Sequence, residues 1–295
     1  MNESSLPPLL PDGRSRRLSS SWPVRKLRMM IAPFKPLRGG PLLDDCTHQH
    51  VDCGSVDIDF FLLRAYLGTD VYPSKIDLDD DRFFDDCASD KRTKHIYATI
   101  GVTNWSYYSP LWDINRYLPI PHDPYAIITT IWQIERVKRG MRLDVGDMAG
   151  LERYLRDDYE LFLESEGGRN WKLRRDIKKE FGALAHLEPE EAQAFVDSQI
   201  ELVLLSPPST YETLLFNGLP WLRHVWNEQP GRSLPTAFNY SRTLSDRSIL
   251  TVYFGINHMS GGGGRHYARW RKTFLRDSEA LMGGLTITPK CLPPP

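Results

Sequence analysis

The stretch from Thr210 to Ile256 constrains this chain more than any other. TYETLLFNG, LPWLRHVWN, TAFNYSRTL and ILTVYFGI follow one another with turn residues between them. Each has strand length and is rich in β-branched and aromatic side chains, so four consecutive strands are expected. The glycine string Ser260–Gly264 then breaks the chain, and a helix follows. HYARWRKTFLRDSEALM puts Tyr267, Trp270, Phe274, Ser278 and Leu281 on one face of a helix, and a short LTIT run follows.

Upstream, HIYATIGVT and YAIITTIWQIERV read as two further strands, joined by the turn-rich, aromatic NWSYYSPLWDINRYLPIPHDP. In DMAGLERYLRDDYELFLES the period changes. Met148, Leu151, Leu155, Tyr159 and Phe162 form a helical stripe, with Asp147 as N-cap and Gly167-Gly168 as the stop. A second helix is expected over EPEEAQAFVDSQ, with Pro189 in its first turn. The fold class is therefore α+β, with antiparallel sheets flanked by helices. The expected organisation is a flexible basic, Pro- and Ser-rich arm over residues 1–45, with order beginning near Val51. An α+β half follows over 46–145, a second over 146–288, and a disordered tail over 289–295. The strand-and-helix pattern occurs twice without a fixed period, which leaves two related halves as an open reading.

The net charge of −1 conceals an asymmetry. Residues 1–40 carry eight basic groups against Glu3 and Asp12, giving +6, whereas residues 41–90 carry thirteen aspartates against Arg64, Lys75 and Arg82, giving −10. Overall neutrality argues against nucleic-acid binding by the whole chain. The acidic block has a cation, a basic protein surface or solvent alone as its counterpart. No apolar run approaches membrane-spanning length, and the proline- and arginine-interrupted N-terminus lacks a secretory h-region, so a cytoplasmic protein is expected. Four cysteines are too few for a disulfide scaffold in a chain of this length.

Several motifs carry possible chemistry. CTHQHVDC gathers Cys46, His48, His50 and Cys53, a full set of soft ligands for zinc. In an extended strand Cys46, His48 and His50 share a face, but Cys46 and His50 lie about 13 Å apart and no second ligand pair exists elsewhere. Incidental ligands are the preferred reading, with a metal as the competing one. IDLDDDRFFDD imitates an EF-hand start at Asp77, Asp79 and Asp81, then places Arg82 where glycine is needed and Ala88 where glutamate is needed. Asp57-Ile58-Asp59 is a D-x-D triplet without a phosphate loop or dinucleotide fingerprint. Gly261–Gly264 could cradle an anion at a helix start, yet lacks the Lys-Ser/Thr ending of a P-loop. No nucleophile elbow is present, and no cofactor is expected.

The C-terminal third also carries a resemblance. FNGLPWLRHVW, the strand pair ending LSDRSILTVYF, the helix with a central Trp and the closing LTIT resemble bacterial immunity-type proteins encoded beside type VI secretion toxins. The order of strands, long helix and short final strand is similar to small α+β domains of the PsbP/Mog1-like kind. The resemblance spans about residues 150–288, with 96–140 as a preceding half. It implies a non-catalytic protein that binds a cognate effector and blocks it, and it transfers no functional residues. The expected function is toxin neutralisation through contacts made by Asp77, Asp79, Asp80, Asp81, Asp85 and Asp86 and by the aromatic loop around Trp105, Tyr107, Tyr108 and Trp112. Core packing is the competing role for those aromatics. The alternative function is a metal-dependent hydrolase or transferase using Asp57 and Asp59 with His48 and His50.

Overall fold

The computed structural model describes residues 38–41, 43, 46–63, 72–80, 97–108, 126–138, 140–181, 188–226, 237–259 and 265–290. In chain order the strands are β1 (Arg38–Gly39), β2 (Cys46–Asp52), β3 (Val56–Leu63), β4 (Tyr97–Tyr108) and β5 (Ala126–Arg136). Three helices follow: α1 (Met148–Glu164), α2 (Arg169–Phe181) and α3 (Pro189–Val203). Then come β6 (Tyr211–Phe216), β7 (Leu219–Trp226), β8 (Ala237–Ser245), β9 (Ser248–Met259), α4 (Arg265–Gly283) and β10 (Thr286–Pro289).

These strands make two antiparallel sheets, so the fold is α+β as expected. One has seven strands in the order β1-β4-β5-β9-β8-β7-β6, and the other has three in the order β10-β3-β2. The four consecutive strands expected in the last third are the meander β6 to β9. Both sheets draw on both stretches expected as separate halves. β5 pairs with β9 from Ala126 opposite Met259 to Arg136 opposite Ser248, and β10 pairs with β3. The boundary near residue 145 therefore separates no independent cores. Part of the expected N-terminal arm is strand: Arg38 and Gly39 pair with Tyr108 and Tyr107.

Strand alternation decides which face of the large sheet meets which layer. Along β5, Ala126, Ile128, Thr130, Trp132 and Ile134 are buried, whereas Ile127, Thr129, Ile131, Gln133 and Glu135 are half-buried. The first set faces the small sheet and α4. Phe60 of β3 stacks on Trp132 at 4.9 Å, and Trp105 of β4 stacks on Phe274 of α4. The small sheet approaches so closely that a Cβ on Gly101 would lie 2.7 Å from Phe60 and 2.9 Å from Leu62. A glycine is needed there, and the ladder slips at the adjoining Thr99–Gly101 step.

The opposite face of the large sheet carries α1. Leu151, Tyr154 and Leu155 pack with Leu222 and Ile249, flanked by Val137 and Leu143. Asp147 caps α1 by accepting from the Ala149 amide at 3.1 Å. Helix α2 packs on α1, and α3 packs on α2. Their junction is held by Asn170, which is 1 % exposed. Its amide nitrogen donates to Glu164 Oε1 and to the Leu205 carbonyl at 2.6 and 2.8 Å, and its oxygen accepts from the Leu205 amide at 2.9 Å. No helix among the described residues is long and apolar enough to cross a membrane.

Candidate functional site

The acidic segment is anchored at alternate residues. Ile76 and Leu78 are 1 % and 2 % exposed, while Asp77 and Asp79 between and beyond them face solvent. The backbone is tied to the end of β2, where Asp52 N donates to Ser74 O at 2.9 Å and Ile76 N to Asp52 O at 2.7 Å. Arg136 donates to the Leu78 carbonyl at 2.8 Å, and the Asp79 amide donates to Asp77 Oδ1 at 2.9 Å. Asp80 N closes a turn onto Asp77 O at 3.2 Å. Asp79 pairs with Arg247 at 2.9 Å yet keeps 82 % of its side chain exposed. Carboxylates held this way lose little freedom when a partner arrives. Asp81, Asp85 and Asp86 lie outside the described residues.

The aromatic loop requires a correction. Trp105 and Tyr107 lie within β4 and are 2 % and 0 % exposed. β4 runs on to Tyr108 because Ala126–Thr130 of β5 pairs with it residue by residue, and alternation then turns positions 105 and 107 into the core. Trp105 Nε1 donates to Thr130 Oγ1 at 2.8 Å. Tyr107 donates to Asp277 Oδ2 at 2.7 Å, and burial followed by the Asp277 charge pushes its phenol far above the ordinary range. Gly40 (φ +109°) covers this contact, where a Cβ would sit 2.9 Å from Asp277 Oδ2. Neither ring is available to a partner. Tyr108 ends the strand opposite Arg38, and Trp112 lies outside the described residues.

CTHQHVDC becomes β2 and the turn after it. Cys46, His48 and His50 share one face, and pairing with β3 sets His50 opposite Asp59 and His48 opposite Phe61. His50 Nδ1 lies 2.9 Å from Asp59 Oδ1, His48 Nε2 lies 3.3 Å from the same oxygen, and His50 Nε2 lies 3.6 Å from Asp57 Oδ1. Asp57, Asp59, His48 and His50 are thus neighbours, and they engage one another. Lys290, just past β10, bridges Asp52 and Asp57 at 2.6 and 2.7 Å. Its ammonium holds the Asp52 carboxyl below the usual carboxylate range, helped by the Gly54 amide.

The four-ligand set does not converge. Cys53 sits past the far end of the strand from Cys46, about 23 Å away at the rise of an extended chain. It is 1 % exposed, and burial pushes its thiol up to about 12, whereas a metal ligand must be a thiolate. Among the described residues no group of three His, Cys, Asp or Glu side chains is placed to hold a metal ion.

A cleft of about 210 Å³ opens between α1 and the face of the large sheet that α1 covers. Its walls include Tyr97, Glu135, Asp158, Tyr159, Phe162 and Trp226. Tyr159 and Phe162 present their rings to Trp226 at 5.6 and 5.9 Å, tilted by 43° and 57°. Asp158 forms an ion pair with Lys138. The Tyr159 ring lines the cleft while its hydroxyl turns inward to a buried polar network. There it donates to His224 Nε2 at 2.9 Å, and Asn239 Nδ2 lies 3.2 Å from the same hydroxyl and 3.1 Å from His224 Nε2. Burial drives the His224 imidazole down to about 3, so it is neutral. Burial, then the Glu135 charge, raises the Tyr159 phenol well above its ordinary value. Neither group exchanges protons near neutral pH.

No family model, curated protein or solved structure matches this chain. The acidic segment and the β2–β3 face were predicted from local runs of sequence. The cleft was not, because its walls come from β4, β5, α1 and β7. The one local sign was the Leu155-Tyr159-Phe162 stripe on α1, which serves equally well as core.

Proposed function

We propose that this chain is a non-catalytic protein-binding factor whose contact surface includes the acidic segment, and that it is an immunity protein neutralising a cognate bacterial effector. The anchoring of Asp77–Asp80 carries this reading. Ile76 and Leu78 are locked in the core, so the aspartates between and after them stand in a fixed array on the surface. A preorganised acidic array, in which Asp79 stays largely exposed beside Arg247, suits a basic protein surface, steering its approach and fixing its register. The titratable groups elsewhere favour binding over chemistry. His48, His50, Asp57 and Asp59 engage one another, and His224 is buried and neutral.

Reversing Asp77, Asp79 and Asp80 together to lysine is expected to weaken partner binding by tenfold or more and to flatten its dependence on salt. Calorimetric titration at two ionic strengths reads both quantities. Unchanged affinity with an unchanged salt slope would remove the segment from the interface.

A further inference from the structure

We infer that the α2–α3 face is a twofold interface between copies of this chain, with the basic side of α2 in one copy seated on the acidic side of α3 in the other. None of its residues belongs to the acidic segment Asp77–Asp80, so it stands without the proposed protein-binding function. Helix α2 carries Arg169, Lys172, Arg174, Arg175, Lys178 and Lys179 against Asp176 and Glu180, giving +4. Helix α3 carries Glu190, Glu191, Asp197 and Glu201 with no basic residue, giving −4. The two helices pack on each other, yet these charges do not meet. Arg174 turns to Glu164 of α1, and Arg175 to its neighbour Asp176. Among the described residues, Lys172, Lys178 and Lys179 have no carboxylate partner, and Glu190, Glu191 and Glu201 have no basic one.

The helices also bury little of their own surface. Among its described side chains α2 buries only Asn170, and Trp171, Leu173 and Ile177 stay half-buried. Lys172, Arg175, Lys178 and Lys179 recur at spacings of three and four on the side of α2 away from Asn170, so they form one basic stripe. The Arg175 guanidinium lies over the Trp171 ring, 5.1 Å from its centroid. In α3 only Val196 and Ile200 are buried among the described side chains, and Phe195 is 38 % exposed. Aromatic and arginine side chains inside a charged rim are the usual anchors of a protein interface.

The charge pattern selects the occupant. A polyanion would suit α2 and be repelled by α3, and a polycation would meet the reverse. A surface carrying both signs in equal amounts fits both helices at once, and a second copy presents that surface. A twofold axis running between the helices sets α2 over α3 twice, so every contact is made in duplicate. The duplication matters because a single exposed ion pair contributes little.

Sedimentation velocity on the full chain tests this, with far-UV circular dichroism checking the fold of each variant. The wild type is expected to be a dimer at low salt, with a dissociation constant that rises tenfold or more at high salt. One variant carries Lys172→Glu, Lys178→Glu and Lys179→Glu, and the other carries Glu190→Lys, Glu191→Lys and Glu201→Lys. Each alone should sediment as a monomer, because like charges now face each other across the axis. An equimolar mixture of the two should sediment as a dimer again, since each variant complements the other at both contacts. A wild type that is monomeric at low salt overturns the interface, whatever the variants do. So do variants that dimerise as well as the wild type, or a mixture that stays monomeric. A dimer lost in the α2 variant and kept in the α3 variant would mean that α2 meets some other acidic surface, which also overturns it. Each of these failures leaves the acidic-segment reading untouched.

Discussion

Replacing Phe274 with alanine is expected to destabilise the protein by about 3–5 kcal/mol, the range for removing a large aromatic side chain from a packed core. Phe274 is 0 % exposed. Its ring meets four others, with Trp105 at 5.8 Å, Phe238 at 4.9 Å, Phe254 at 6.1 Å and Trp270 at 5.2 Å between centroids. Those rings come from β4, β8, β9 and α4 itself, so the hole would open where the last helix packs across interior strands of the large sheet. Neighbours held by ladders on every side can collapse into it only in part. Urea unfolding followed by tryptophan fluorescence measures the loss as a lower midpoint at unchanged slope. A loss below about 1 kcal/mol would mean that α4 does not dock through this residue.

The second large effect is one of pH. His224 is 1 % exposed, and its Nε2 faces the Tyr159 hydroxyl and the Asn239 amide. That arrangement suits the neutral ring with its proton on Nδ1, a tautomer assigned from the network. Burial holds the folded-state pKa at about 3. In the unfolded chain the ring titrates at about 6.5, so the unfolded state takes up a proton first as the pH falls. The stabilisation is complete above the unfolded value and is lost as the pH drops from there toward the folded one. Between pH 7 and pH 5 the loss from this ring is about 2 kcal/mol. The lowered carboxylates Asp52 and Glu164 act below this window. Denaturant titrations at the two pH values should show the decline in the wild type and a much flatter response in His224→Leu, whatever the variant's absolute stability. An equal decline in both would show that His224 is not the titrating group.

Particular residues explain how much of this was legible. The meander β6 to β9 could be read because β-branched and aromatic runs alternate with turn residues, and α1 because its stripe and cap are local. Helix α2 was missed. RNWKLRRDIKKEF is dominated by charged residues, and its place is fixed by Asn170 reaching Leu205, a contact no local pattern announces. The aromatic stretch after Thr103 looked like a loop because the strand that pairs with it begins only at Ala126, beyond a run rich in proline and other turn formers. Its competing role as core proved to be the structural one for Trp105 and Tyr107. The His48–His50 face was visible in the two-residue spacing. That Asp57 and Asp59 lie across from it depends on the β2–β3 register, which the turn at Gly54 sets. The cleft depends on residues brought together only by the whole sheet.

The proposed function places the anchored aspartates of this chain in a protein interface. Cross-linking mass spectrometry on the full chain with its captured partner tests it most directly, using a reagent that joins carboxylates to lysines. Cross-links from Asp77, Asp79 or Asp80 to lysines of the partner are expected, and they should disappear together with the complex in the triple reversal to lysine. A stable complex whose cross-links all lie elsewhere, and which survives that reversal, would contradict it.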